Sequence, residues 1–377
     1  MQFSNVIGHN GVIENIRNMV DTNRIPHAIL FTEKFGYGAL TLALATIKYM
    51  FCKDKNNGDS CGKCSSCRKI EKLVHPDLHF TFPTNTSTLI GKDKKSNIDE
   101  FYPLWRELVI ANPYFSEQEL YKVLGIENKF GIISVNEANT IMSKLSLSSY
   151  EGGNKIMLIV FPERMNQEAA NKLLKSLEEP QPDTYYFLIS HAPGKIISTI
   201  LSRCRIIELL PIQDDALSKE LVKNYSLTQE EALFWAKCSG GSYGKALELI
   251  EQEGKKGETY TVFISILELA INKDLASMFD IWDSVSLWGK ENQKALCVKG
   301  IEILRKLYII NLNLNSIVYA SPKEQELLKK LSGKIKNNFY EKGYNYLNSA
   351  IDCIERNVNP KFIFCDLCNR IYYNITN

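Results

Sequence analysis

The stretch Leu30–Ala43, LFTEKFGYGALTLA, constrains the fold most. A run able to form a strand, His27–Thr32, enters a turn holding Gly36 and Gly38, and an Ala/Leu-rich helix former, Ala39–Phe51, leaves it. This is the setting of a phosphate-binding loop, G-x-x-x-x-G-K-[ST]. In such a loop backbone N–H groups at a helix N-terminus cradle phosphates, Lys meets the β- and γ-phosphates, and Ser/Thr holds Mg²⁺. Aligned on Gly38, the first Gly is Glu33, the Lys is Ala39 and the Ser/Thr is Leu40. A carboxylate therefore stands where phosphate belongs, and two apolar side chains replace the cation and the metal ligand. The pattern predicts a nucleotide-binding type of α/β fold in a chain that binds no ATP.

A second part of the same machine is altered. Lys155–Phe161, KIMLIVF, is a continuous apolar run bounded by turn signals, which suits a strand buried on both faces of a parallel sheet. Nucleotide hydrolysis needs an Asp for Mg²⁺ and an acid to activate water at the end of such a strand. Those positions, read from Arg164-Met165, are Val160 and Phe161, and Glu163 lies beyond them. Loss of two separate elements in one chain points to a hydrolase scaffold that does no hydrolysis.

Other strands are expected at Leu78–Phe82, Tyr185–Ser190 and Ile206–Leu210, the last two read as buried. Helical segments separate most of the five candidates, the βαβ signature of an open parallel sheet. Asn10 is expected to cap the first helix, Asn166 a later one, and Ser116-x-x-Glu119 and Thr228-x-x-Glu231 read as capping boxes. Residues 83–131 look like an insertion: a polar stretch, Thr84–Asn97, and then two short amphipathic helices in which Trp105 and Tyr114 are packing anchors. The expected domains are an α/β unit over 1–211, a small helical unit over 212–253 and an all-helical unit over 259–377, with Glu251–Glu258 as linker.

Ten cysteines in a chain with no secretory leader and no apolar run of bilayer length read as thiols or metal ligands in a cytoplasmic protein. Four of them, Cys52, Cys61, Cys64 and Cys67, are spaced C-x8-C-x2-C-x2-C. Four thiolates close a tetrahedral site, which suits structural Zn²⁺ with no open position for catalysis; free surface thiols and an iron–sulfur cluster are the rival readings, the latter opposed by Arg68 after Cys67, where the bacterial ferredoxin run needs a further Cys followed by Pro. Cys365 and Cys368 form a further C-x2-C, but within an apolar helical run, FIFCDLC, that reads as core. A net charge of +2 argues against a chain-wide nucleic-acid surface. Ser202-Arg203-Cys204 precedes the last strand, where an Arg either pairs at the surface or serves as an arginine finger.

Taken together, RIPHAILF (24–31), the four-Cys insertion, NKLLKSLEEP (171–180), ISTILSRCR (197–205) and GGSYGKALEL (240–249) resemble the delta-prime family of bacterial DNA polymerase III, in the clamp-loader branch of the AAA+ superfamily. The resemblance covers roughly residues 1–250 apart from 83–131. It implies a non-hydrolysing subunit of a five-subunit ring that opens a sliding clamp and places it on primed DNA, beside delta and gamma/tau subunits. It also implies that Arg203 completes a neighbour's ATP site, that the four cysteines bind zinc, and that the C-terminal helices form a collar holding the ring together. Lys245 falls where AAA+ lids often carry a sensor Arg. Two other readings are an active ATPase subunit of the same loader and a zinc-dependent nucleic-acid binder. Ala39 and Leu40 oppose the first; the few basic residues of the Cys module (Lys63, Arg68, Lys69, Lys72) oppose the second.

Overall fold

A computed structural model of the chain describes all residues except 88, 90–97, 128, 255–256, 315–317, 319 and 377. Most of the polar stretch expected at Thr84–Asn97 and part of the expected linker lie outside the described residues. The chain divides into two compact units, Met1–Glu248 and Leu249–Asn377.

The first unit is built on five parallel strands: β1 Ala28–Thr32, β2 Leu78–Thr81, β3 Lys155–Val160, β4 Thr184–Ser190 and β5 Arg205–Glu208, in the order β2-β3-β4-β1-β5. β1 lies beside β4 with Ala28 opposite Tyr186 and beside β5 with Ile29 opposite Arg205. All five residues of β1 and all six of β3 are buried, as expected of strands covered on both faces. The period-2 alternation sorts the side chains into two cores. Ile29, Phe31, Leu158 and Phe187 face one layer, which contains α1 Asn10–Asp21, α2 Ala39–Phe51, α3 Ser65–Glu71 and α4 Ile98–Ala111. Ala28, Leu30, Ile159 and Leu188 face the other, with α6 Val135–Ser146 and α7 Gln167–Glu178; α5 Glu117–Val123 precedes α6 in the chain.

Two expectations need correction. Ile206–Leu210 is no buried strand: β5 is an edge strand, exposed at Arg205, Ile206 and Glu208, and its apolar residues reflect one-sided packing on β1. Asn10 does not cap α1 either. His9 takes the N-cap position in a left-handed conformation (φ 58°), and its Nε2 meets the Tyr37 carbonyl at 2.9 Å, so the chain turns one residue earlier. Asn166 caps α7 as expected, its Oδ1 accepting the Ala169 N–H at 2.8 Å. The boxes at Ser116 and Thr228 also form.

The insertion belongs to the core. Trp105 of α4 is fully buried among the rings of Phe80, Phe82 and Tyr102, stacking on Phe82 at 5.1 Å. After the short α8 Ser198–Leu201 and β5, the chain enters α9 Asp214–Tyr225, α10 Gln229–Ser239 and α11 Tyr243–Gly254. The second unit consists of α12 Glu258–Ile271, α13 Leu275–Ser286, α14 Lys290–Asn311, α15 Pro322–Ser332, α16 Asn337–Glu355 and α17 Pro360–Asn374 around a core of its own. Trp282 of α13 stacks on Phe364 of α17 at 5.3 Å. Cys368 is buried there and Cys365 is exposed. No described helix is long and apolar enough to cross a membrane.

Candidate functional site

The loop between β1 and α2 keeps the backbone shape of a phosphate cradle. Gly36 (φ 82°) and Gly38 (φ 107°) both take left-handed conformations that glycine reaches without strain. Gly38 opens α2, so the first N–H groups of that helix point into the loop. There the carboxylate of Glu33, buried to 8% exposure, accepts the Ala39 N–H at 2.8 Å through Oε2. Its Oε1 lies 3.1 Å from His191 Nε2. The helix N-terminus, with its unpaired N–H groups and positive dipole end, thus has an anion supplied by its own chain. Ala39 and Leu40 are buried among apolar neighbours of the first core.

The mouth of the loop is equally filled. A Cβ built on Gly36 would collide with Ser242 and Gly244 of the following helical segment, and one on Gly38 would lie 3.1 Å from the Tyr114 ring. Ser242 Oγ donates to the Phe35 carbonyl at 2.7 Å, and the Tyr243 N–H donates to the Gly36 carbonyl at 2.9 Å. Lys245 is exposed; its backbone N–H donates to Ser242 Oγ at 3.0 Å.

At the end of β3, Val160 and Phe161 are both buried. Phe161 holds a left-handed conformation (φ 57°, ψ 57°), rare for a bulky residue and costing about 1–3 kcal/mol. Its ring packs edge-on against His191 at 4.9 Å. Glu163 Oε1 accepts the N–H groups of His191 and Ala192, each at 3.1 Å, tying the end of β3 to the end of β4. Arg164 forms a two-pronged pair with Glu117 of the insertion, at 2.5 and 2.8 Å. Burial pushes the Glu117 carboxyl up, but Arg164 outweighs this and holds it below its ordinary value.

Arg203 lies at the opposite side of β1, before the edge strand. Its Nη2 pairs with Glu178 at the end of α7 at 2.5 Å, and its Nη1 donates to the Thr199 carbonyl at 2.9 Å. Both partners of the ion pair are substantially exposed, in contrast to Glu33. Cys204 beside it is half-buried, and burial pushes its thiol up to about 11.

The fourth element is at the far end of α2. The sulfurs of Cys52, Cys61, Cys64 and Cys67 all lie within 4.8 Å of one another and could hold a metal ion. Cys61 and Cys67 are 3.9 Å apart, against the edge of about 3.8 Å expected for a tetrahedron with metal–sulfur bonds of ~2.3 Å. Backbone N–H groups already point at the sulfurs: Cys61 to Cys52 at 3.2 Å, Cys64 to Cys61 at 3.3 Å and Cys67 to Cys64 at 3.4 Å. The N–H groups of Cys64 and Lys63 pull the Cys61 thiol down to about 6, favouring the thiolate a metal needs. Burial pushes Cys67 and Cys52 the other way, so both gain from a cation. The loop is also stitched to the N-terminal segment, where Asp59 accepts the Phe3 N–H at 3.1 Å.

Sequence reading missed two participants. His191 follows β4 with no periodic or spacing signal to mark it. Glu178, the partner of Arg203, is 25 residues away in the chain and visible only as one of two glutamates before Pro180. Tyr114 reads as a packing residue, and is buried; that it packs on the loop glycine is a tertiary fact.

A family profile described as "DNA polymerase III, delta subunit" matches residues 8–213. DNA polymerase III subunit delta' of Bacillus subtilis is 30% identical over 299 residues, 79% of this chain and 75% of that protein. Its counterpart in Escherichia coli is 25% identical over 225 residues, 60% of this chain and 54% of that protein. DNA polymerase III subunit tau/gamma of Haemophilus influenzae is 25% identical over 263 residues, 68% of this chain and 31% of that protein.

Proposed function

The chain belongs to the DNA polymerase III delta-prime family, and from this we propose that it acts as a non-hydrolysing subunit of a clamp loader that lends Arg203 to the ATP site of an adjacent subunit. The observation that carries the reading is the Glu33 carboxylate bonded to the Ala39 N–H, where a nucleotide phosphate would have to lie. Phosphoryl transfer is catalysed almost wholly by placed charge, and Ala39, Leu40, Val160 and Phe161 supply none. ATP entering this loop would meet a like charge in place of a cation.

Arg203 fits the opposite role. Its guanidinium is planar, permanently charged and able to grip phosphate oxygens with two N–H groups. The exposed pair with Glu178 is worth at most about 1 kcal/mol, so a γ-phosphate of higher charge can take the guanidinium over. A finger of this kind contributes about 10³–10⁵ in rate, or roughly 4–7 kcal/mol of barrier. The partners under this reading are the gamma/tau ATPase and delta subunits, with the sliding clamp and primed DNA reached through the assembled ring, in the cytoplasm. The all-helical second unit would form the collar. The four-cysteine site would hold structural Zn²⁺, which favours four thiolates and requires no redox step.

The test is a reconstituted loader. Arg203→Ala should lower its ATPase by about 10³-fold or more, with ring assembly unchanged by gel filtration; full turnover in an assembled ring removes the finger role. Calorimetry of the isolated chain with ATP and Mg²⁺ should show no micromolar binding, and a saturable micromolar isotherm would overturn the filled-loop reading.

A further inference from the structure

The insertion reaches the loop at a point its own core packing does not require. Between α4 and α5, Tyr114 is buried, and its ring lies against Gly38 on one side. On the other side it meets Tyr243, edge-on at 4.8 Å. A Cβ added to Gly244 would collide with the Tyr114 carbonyl and with the Phe35 ring. One residue of the insertion is therefore wedged between the loop that opens α2 and the turn that opens α11.

The same short segment is anchored to the sheet on its other flank. Arg164, just after β3, grips Glu117 with both prongs, and the Tyr121 hydroxyl donates to the same carboxylate. From Tyr114 to Tyr121 the insertion thus touches the end of β3, the loop after β1 and the helical segment Asp214–Glu248. Direct bonds join the last two as well, from Ser242 to Phe35 and from Tyr243 to Gly36.

We propose that the insertion is an internal stand-in for nucleotide: Tyr114 fills the space over the loop and locks the helical segment 214–248 onto the sheet, so that its position is set by the chain and by no ligand. Two features make the wedge specific. Gly244 must stay glycine, because a Cβ there would collide with the Tyr114 carbonyl, and a Cβ on Gly38 would press on the Tyr114 ring at 3.1 Å. It also needs an aromatic plate, since Tyr243 meets it through ring geometry. The inference concerns a mechanical link inside one unit and stands whether or not Arg203 acts in trans.

Hydrogen exchange on the full-length chain tests it. Tyr114→Ala should speed exchange of amides in α9 and α10 at least tenfold, while β3 and β4 stay within twofold of the parent. Tyr114→Phe, which keeps the plate, should leave the helices protected. Gly244→Ala, whose added Cβ would strike the Tyr114 carbonyl while leaving the Tyr114 side chain in the chain, should reproduce the Tyr114→Ala pattern. Equal acceleration of helices and strands in Tyr114→Ala and Gly244→Ala, or unchanged protection of α9 and α10 in both, overturns the lock.

Discussion

At the N-terminal end of α2 the chain supplies its own anion: Glu33 is buried, and one carboxylate serves both the Ala39 N–H and His191. At the C-terminal end Cys52 joins three more thiols whose N–H-decorated sulfurs stand at metal-binding separations. One helix thus ends in a site anchored by the chain's own carboxylate and a site whose four thiols could hold an ion from outside. The difference lies in how each end could be satisfied. The first N–H of the helix, that of Ala39, finds its acceptor in a nearby Glu at the cost of one buried carboxylate. At the four clustered thiols burial opposes ionisation of Cys52 and Cys67, which a bound cation would reverse.

The largest effect is expected at the thiol end of the helix. Treatment with a metal chelator should lower the melting temperature steeply if the four thiols hold zinc as proposed, since structural zinc sites bind with about 10–16 kcal/mol in small modules. An unchanged melting curve after verified metal removal would mean that this end, too, is complete without a ligand. At the other end Glu33→Ala should cost about 2–3 kcal/mol in urea unfolding, because a buried N–H and His191 lose a charged partner together. Glu33→Gln, which keeps an acceptor of the same shape, should cost less than half of that. A loss below about 0.5 kcal/mol for the alanine variant would show that the carboxylate is incidental.

Arg203 supplies the contrast with an exposed pair. Arg203→Ala should change stability by less than about 1 kcal/mol, because its bond to Glu178 is open to solvent. A larger loss would mark it as structural. The smallest effect lies in the last turn of α2. Burial, and then the Asp21 carboxylate that accepts its hydroxyl, push Tyr49 up to about 12. Its folded value is raised above the unfolded value of about 10, so its contribution is complete below pH ~10 and is lost as the pH rises from there through 12. Tyr49→Phe should flatten that alkaline decline, and an identical decline in both proteins would exclude Tyr49 as its source.

Much of this was legible because the signals are local. β1 and β3 are read from continuous apolar runs, the caps at Ser116, Asn166 and Thr228 from two or three neighbouring residues, and the thiol cluster from spacing alone. What escaped is tertiary. β5 carries Ile206 and Ile207 like a buried strand, yet it has a neighbour on one side only, and sequence records apolarity without recording which strand lies at the edge. His9 displaced Asn10 as N-cap because a carbonyl 28 residues away, at Tyr37, was available to its ring. The partnership of Glu33 with His191 spans 158 residues and leaves no periodic trace.

Phe161 has a bearing on how such a loop could ever be repaired. It sits in a left-handed conformation, wedged against His191, which in turn meets Glu33. Replacing Phe161 by an acid would open a void beside a histidine whose other contact is already a carboxylate. Replacing Glu33 by glycine would orphan the Ala39 N–H, and a lysine at Ala39 would have to enter a fully buried position. Each restoring step removes a contact that the present loop relies on, so a phosphate loop would have to be rebuilt by several changes together.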